Sequence, residues 1–146
     1  MISLYKKGDF HLHTTASDGK LSPKEIVTNS KKAGLDIIAI TDHDTISGID
    51  SALCQGEVNI KVIPGIELST LYNNKSVHIL GYFKNTSFIS LKFKNFLKEM
   101  RSYRAYRAKK IVDNLNKFFN INIPYEKVVK NAHGIITRPH IAQAII

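Results

Sequence analysis

Cysteine is nearly absent: Cys54 is the only one in the 146 residues, which excludes an internal disulfide and fits a reducing compartment. Its place in an apolar helical pattern assigns it to helix packing. Long apolar runs are missing too, since no stretch approaches the roughly 18 consecutive apolar residues of a membrane span. The opening Met1-Ile2-Ser3-Leu4-Tyr5-Lys6-Lys7 lacks the apolar region of a signal peptide. These absences lead to the expectation of a cytoplasmic protein without a membrane partner. The sequence shows no internal repeat, no low-complexity segment and no Ser-His-Asp or Cys nucleophile arrangement. Acidic residues are scarce, 12 against 21 basic ones, and the formal charge of +9 creates a field that attracts anions. Phosphorylated small molecules and nucleic acid both fit that field, and charge alone does not separate them.

What is present is a 43% hydrophobic, 23% charged composition, enough for one globular domain or part of one. Its organising stretch is Asp9-Phe10-His11-Leu12-His13-Thr14, followed by Asp18-Gly19. As a strand this segment puts Phe10 and Leu12 on one face and Asp9, His11 and His13 on the other. Two imidazoles two residues apart lie about 6.5 to 7 Å apart along a strand, close enough to converge on one metal ion or a tight cluster. Asp18 adds a carboxylate.

Ser22-Pro23-Lys24-Glu25 has a capping-box pattern with proline at the first helical position, opening a helix through Ala33 that Gly34 stops. Ile37-Ile38-Ala39-Ile40 reads as a strand covered on both faces, which completes a β-α-β unit. Asp42-His43-Asp44 follows at the strand's carboxyl end, where ligands gather in open α/β sheets and barrels. A short helix from Ile49 to Gln55, a third strand from Lys61 to Ile66 ending at Glu67, and a fourth from Val77 to Phe83 carrying His78 complete this half. Taken singly, Asp42 and Asp44 also suit turns or helix caps, and His78 suits a hydrogen-bonded core position. Their convergence from four consecutive strands is what points to a site.

From Ser87 to Phe119 the apolar spacing becomes helical and basic, one long amphipathic helix or two. Arg101, Arg104 and Arg107 recur every three residues and could offer guanidinium forks to phosphate, or form a solvated face. Pro124 interrupts, Tyr125 to Lys130 reads as a short helix, and Arg138-Pro139-His140-Ile141-Ala142 opens another.

With Asp9-Phe10-His11-Leu12-His13-Thr14, Thr41-Asp42-His43-Asp44, Pro64-Gly65-Ile66-Glu67, His78-Ile79-Leu80-Gly81-Tyr82 and Arg138-Pro139-His140-Ile141-Ala142 in order, the chain resembles the PHP (polymerase and histidinol phosphatase) family. Its nearest branch is that of nucleoside 3′,5′-bisphosphate phosphatases that also act as 5′-to-3′ exoribonucleases. The resemblance implies an α/β fold, the amino-terminal part of a distorted (β/α)7 barrel with a helical insertion. Residues 1–84 would supply the first four strands and residues 85–146 a basic helical subdomain ending in the Arg-Pro-His motif. It also implies two or three divalent ions on His11, His13, Asp18, His43, Glu67, His78 and His140, with Glu67 as the bridge. A mixed imidazole and carboxylate set suits Mn, Zn or Fe. His133 matches no motif and reads as a loop residue. The family's closing Asp-x-His has no counterpart after His140, so the remainder of the barrel is expected to be missing.

The function implied is hydrolysis of a phosphomonoester by a metal-activated water, on a 3′,5′-bisphosphonucleoside or the 5′ end of short RNA. Arg101, Arg104 and Arg138, with His140, are the expected contacts to a second phosphate. A histidinol-phosphate type phosphatase is the competing enzyme, and an anion- or RNA-binding fragment without turnover is the reading from another class.

Overall fold

The computed structural model describes residues 5–56, 60–85 and 89–146. The barrel-like half contains β1 (Gly8–Leu12), α1 (Pro23–Lys32), β2 (Ile37–Ile40), α2 (Ile49–Gly56), β3 (Lys61–Tyr72) and β4 (Lys75–Tyr82). The helical half contains α3 (Leu91–Phe119), α4 (Tyr125–Asn131) and α5 (Arg138–Ile145). The sheet order is β1-β2-β3-β4, with β1, β2 and β3 parallel and β4 antiparallel to β3.

Helix α1 starts where its sequence says it should. Ser22 Oγ accepts from the Glu25 amide while the Glu25 carboxylate accepts from the Ser22 amide, which satisfies backbone donors that the first turn leaves open. At the other end Gly34 takes φ +78°, a left-handed turn that costs glycine little. Strand β2 is enclosed as its unbroken apolar run predicts: Ile38, Ala39 and Ile40 are all but inaccessible. Ile38 and Ile40 pack with Val27, Ala52, Ile60 and Val62 in one apolar core. A separate core in the helical half joins Ala108, Val112, Ile123, Val128, Ile136, Ile141 and Ala144.

The fourth strand departs from the β-α-β pattern. Strand β3 does not end at Glu67 but continues to Tyr72 and folds back through Asn73 and Asn74 into β4, with Tyr72 opposite Lys75. Both asparagines have positive φ, 48° and 59°, the backbone of a two-residue hairpin turn whose twist suits antiparallel strands. A hairpin replaces a crossover because Asn tolerates the left-handed region.

The sheet curls into a half-barrel. Its two outermost strands meet where the Tyr82 hydroxyl donates to the Phe10 carbonyl at 2.9 Å and the two rings stand edge to face. Phe10 is therefore half-exposed against Tyr82 rather than buried in the core.

Leu91–Phe119 forms a single helix, not two. Ser90 Oγ caps its start and Asn120, at φ 55°, closes its end. Cys54 is a correction to the sequence expectation: it is exposed, not packed. Ile49 and Ala52 turn α2 toward the core, and a residue two positions beyond Ala52 lies on the far side of the helix. Among the described residues no helix is long and apolar enough to cross a membrane.

Candidate metal centre

The carboxyl ends of β1 and β2, the middle of β3 and the antiparallel β4 together deliver the site, the loops after β1 and β2 opening at one end of the sheet. Glu67 is its pivot. Its backbone is clamped on the β2 side, with its amide donating to the Asp42 carbonyl and its carbonyl accepting from the Asp44 amide. The side chain, only 5% exposed, lies under four imidazoles. Glu67 Oε2 is 2.9 Å from His11 Nε2, 3.0 Å from His13 Nε2 and 3.5 Å from His43 Nδ1. Oε1 is 2.6 Å from His78 Nδ1. Asp18 extends the cluster, 3.5 Å from His13 Nδ1 and 3.6 Å from His43 Nε2. The rings form a chain, with His11, His13, His43 and His78 in succession at centroid spacings of 5.0, 4.7 and 5.0 Å.

Three groupings of ligand atoms, each within 4.8 Å, overlap here: His11, His13 and Glu67; His13, Asp18 and His43; His43, Glu67 and His78. Each shares a member with the next, so ions held in them would be neighbours. The donor set is chemically apt, because neutral imidazole nitrogen and carboxylate oxygen are first-row metal ligands. One atom tests the fit independently. His43 Nδ1 is buried and has no hydrogen-bond partner among the described residues, a costly state for a polar atom unless something else occupies its lone pair.

The electrostatics agree. Burial pushes His43 below the ordinary histidine range, more strongly than Asp18 and Glu67 pull it up. The ring is thus neutral and its lone pair available. Burial alone would raise Glu67, but the hydrogen bonds from His11 and His78 and the field of the surrounding imidazoles outweigh it and hold the carboxyl low.

The loop carrying Asp18 is fixed from below by Asp42. That carboxylate, 1% exposed, accepts from the Thr14 amide at 2.7 Å, the Thr14 hydroxyl at 2.8 Å and the Ser17 hydroxyl at 2.6 Å. Gly19 lets the loop return, since a Cβ there would stand 2.3 Å from the His13 carbonyl oxygen. Asp42 thus anchors the loop, and its place at the end of β2 was the only sequence signal for it.

His140 stands apart from the three groupings. It is buried at the start of α5, where its Nδ1 accepts from the Thr137 amide at 3.1 Å. It borders a cavity of about 300 Å³ whose walls include Asp18, Lys20, His133 and Gln143. His133 therefore lines a polar cavity, a role no motif signalled.

The arginines divide. Arg104 is 5% exposed and committed: its Nε binds Asp44 Oδ2 at 2.5 Å, Nη2 binds Ser69 Oγ at 2.7 Å and Nη1 reaches the Ile136 carbonyl. Arg107 is half-buried, and burial with the nearby charges of Arg104 and Arg138 lowers its pKa. Arg104, Arg107 and Arg138 line a cavity of about 480 Å³ that Asp44, Ser69 and Tyr103 also border. Arg101 is exposed and absent from that wall. The three-residue spacing turns about 60° per step around a helix of 3.6 residues per turn, so Arg101 and Arg107 cannot both share the heading of Arg104.

A family model for the PHP domain matches residues 9–136. The chain belongs to the PHP domain family. The 5′-3′ exoribonuclease of Haemophilus influenzae is 39% identical over 142 residues, covering 97% of this chain and 51% of that protein. The 3′,5′-nucleoside bisphosphate phosphatase of Chromobacterium violaceum is 32% identical over 74 residues, covering 50% of this chain and 26% of that protein. A crystal structure from Bifidobacterium adolescentis, provisionally described as a metal-dependent phosphoesterase, superposes with a TM-score of 0.83 at 30% identity. It covers 95% of this chain and 49% of that one. The chain thus spans about half the length of the exoribonuclease relatives that it matches along nearly its whole length. The half-barrel and its helical insertion are the amino-terminal portion of a PHP-type fold, as the motifs implied.

Proposed function

We propose that the chain carries the amino-terminal side of a metal-dependent phosphoesterase site, acting on a 3′,5′-bisphosphonucleoside or on the 5′ end of short RNA. The observation that carries this is the buried Glu67 carboxylate ringed by His11, His13, His43 and His78. His11, His13, Asp18, His43, Glu67 and His78 would hold two or three divalent ions, with Mn, Zn or Fe best suited to the donors. His140 is the seventh proposed ligand, reaching the site through its cavity with Asp18. Such ions supply Lewis acidity that acidifies water near neutral pH and offsets charge on phosphate oxygens.

The chain's own residues do the rest. Arg107 and Arg138 face one cavity from two helices and would take a phosphate between them, each guanidinium offering paired N–H donors. Arg104 is proposed as a substrate contact through its presence on the same wall, while its ion pair with Asp44 holds α3 against the strand end that carries His43. Arg101 would contribute only to the surrounding field. Support for the substrate class comes from the relatives: the Haemophilus influenzae protein is named for 5′-3′ exoribonuclease activity and the Chromobacterium violaceum protein for bisphosphate phosphatase activity.

The test combines bound-metal stoichiometry by equilibrium dialysis with phosphate release from adenosine 3′,5′-bisphosphate and from a 5′-phosphorylated oligoribonucleotide. Bound manganese, with release that a chelator and His43→Ala both abolish, is the expected result. Metal bound without release from either substrate would assign this chain a binding role alone. No bound metal would overturn the proposal.

A further inference from the structure

The arginine-lined cavity has a neighbour. Its Tyr103 side is shared with a second cavity of about 530 Å³, lined by Glu99, Ser102, Tyr103 and Tyr106. Tyr103 and Tyr106 are 70% and 63% exposed. One turn of α3 separates them, so both rings stand on the same stretch of helix surface. Tyr103 only borders the arginine-lined cavity, and Tyr106 lies outside it.

We infer that this second cavity is a stacking subsite for the base of the second nucleotide of single-stranded RNA, the first nucleotide lying in the arginine-lined cavity. The inference rests on the phosphoesterase reading above and deepens it by assigning the residues that would distinguish an RNA end from a mononucleotide. Three observations on charge and chemistry select a base as the occupant. Exposed aromatic rings beside a basic groove are how single strands are held without sequence preference, each base offering a π-face. The Glu99 carboxylate would repel a phosphate, whereas it can accept from a base's exocyclic amino group. Lys110 holds its Nζ over one face of the Tyr106 ring, 5.8 Å from the centroid, which leaves the other face for a base and sets a cation beside it that can meet a backbone phosphate. Arg104, Arg107 and Arg138 line the first cavity and not the second, so the guanidinium groups that suit a phosphate are confined to one of the two cavities that share Tyr103.

The experiment compares two ligands on the same chain in manganese. One is adenosine 3′,5′-bisphosphate. The other is a 5′-phosphorylated tetraribonucleotide with a 3′ fluorophore, its first linkage a phosphorothioate to slow cleavage, read by fluorescence anisotropy. Tyr106→Ala is expected to weaken the tetranucleotide by roughly five- to a hundredfold, the range for loss of one stacked base, and to leave the bisphosphate affinity unchanged. Tyr106→Phe should bind like the parent chain. A tetranucleotide abasic at its second position should bind the parent chain and Tyr106→Ala equally. Unchanged tetranucleotide affinity in Tyr106→Ala, or an equal loss on the abasic strand, overturns the subsite. A parent chain that binds bisphosphate but holds the tetranucleotide no tighter overturns it as well, leaving the phosphoesterase reading in place. Failure to bind either ligand overturns both.

Discussion

The half-barrel and the helical half place their polar side chains by different means. In the half-barrel, His43, Glu67 and His78 are set by strand pairing: His43 bridges to Glu67 and Ser69 pairs with His78. Their positions follow from main-chain hydrogen bonds that any side chain would leave intact. In the helical half the arginines reach the site across a junction, and its ion pair depends on one side chain, Arg104, meeting Asp44, itself held at φ 48°. A site built on strands is pre-organised before any ligand arrives, while one built across a junction depends on how two separate cores dock. Metal binding on the three groupings should therefore survive damage to the junction, and substrate recognition should not.

Glu67→Gln tests the first half and should have the largest effect. The amide keeps the size but removes the charge shared by all four imidazoles, and it presents an N–H₂ toward ring nitrogens that need an acceptor or an ion. The expected result is a loss of manganese affinity of at least tenfold, by analogy with the losses seen even for supporting groups around metals. Far-UV circular dichroism should be unaltered. Unchanged affinity on dialysis would remove Glu67 from its proposed role as the bridge.

Arg104→Ala tests the junction. It leaves the Asp44 carboxylate buried without its cation, and breaking one partner of a buried pair costs about 3 to 5 kcal/mol. Urea denaturation should show that loss. Manganese stoichiometry should persist, since no member of the three groupings is touched. If metal binding fell together with stability, the metal cluster would depend on the junction as much as the arginines do.

This division also explains what could be read from the sequence. The His11 and His13 alternation, the Asp42-His43-Asp44 turn after an apolar strand, and Glu67 after Ile66 are local patterns, and local geometry carries them into the site. The Asn73-Asn74 hairpin was missed because β3 outruns its apolar stretch: beyond Glu67 the strand is held by pairing with β4, a partner that the local pattern does not reveal. Arginine spacing could not say which guanidinium would be buried. That depends on where Asp44 sits, 60 residues away in sequence. Cys54 was misread for a related reason, because on a helix as short as α2 a one-position rotation exchanges core for solvent.

The smallest effect should come from Asp36, which tests the half-barrel where no ligand is involved. Its carboxylate accepts from the Lys6 and Lys7 amides at 2.9 and 3.1 Å, while its own amide donates to the Lys7 carbonyl. The Lys6 and Lys7 hydrogen bonds hold its pKa below the ordinary 3.8. A carboxyl with a lower pKa folded than unfolded stabilises the fold at any pH above the unfolded value. That contribution fades as the pH falls through the folded one. Because the group is exposed, water replaces much of what is lost, and Asp36→Ala should lower the melting temperature only slightly at neutral pH. The difference between the parent and the variant should then shrink as the pH is taken below 3.8, since the protonated parent no longer offers the charged acceptor. A gap that stayed constant through that window would mean that Asp36 acts through its backbone or its packing, and the entry of β1 would then be held by main-chain hydrogen bonds like the rest of the sheet.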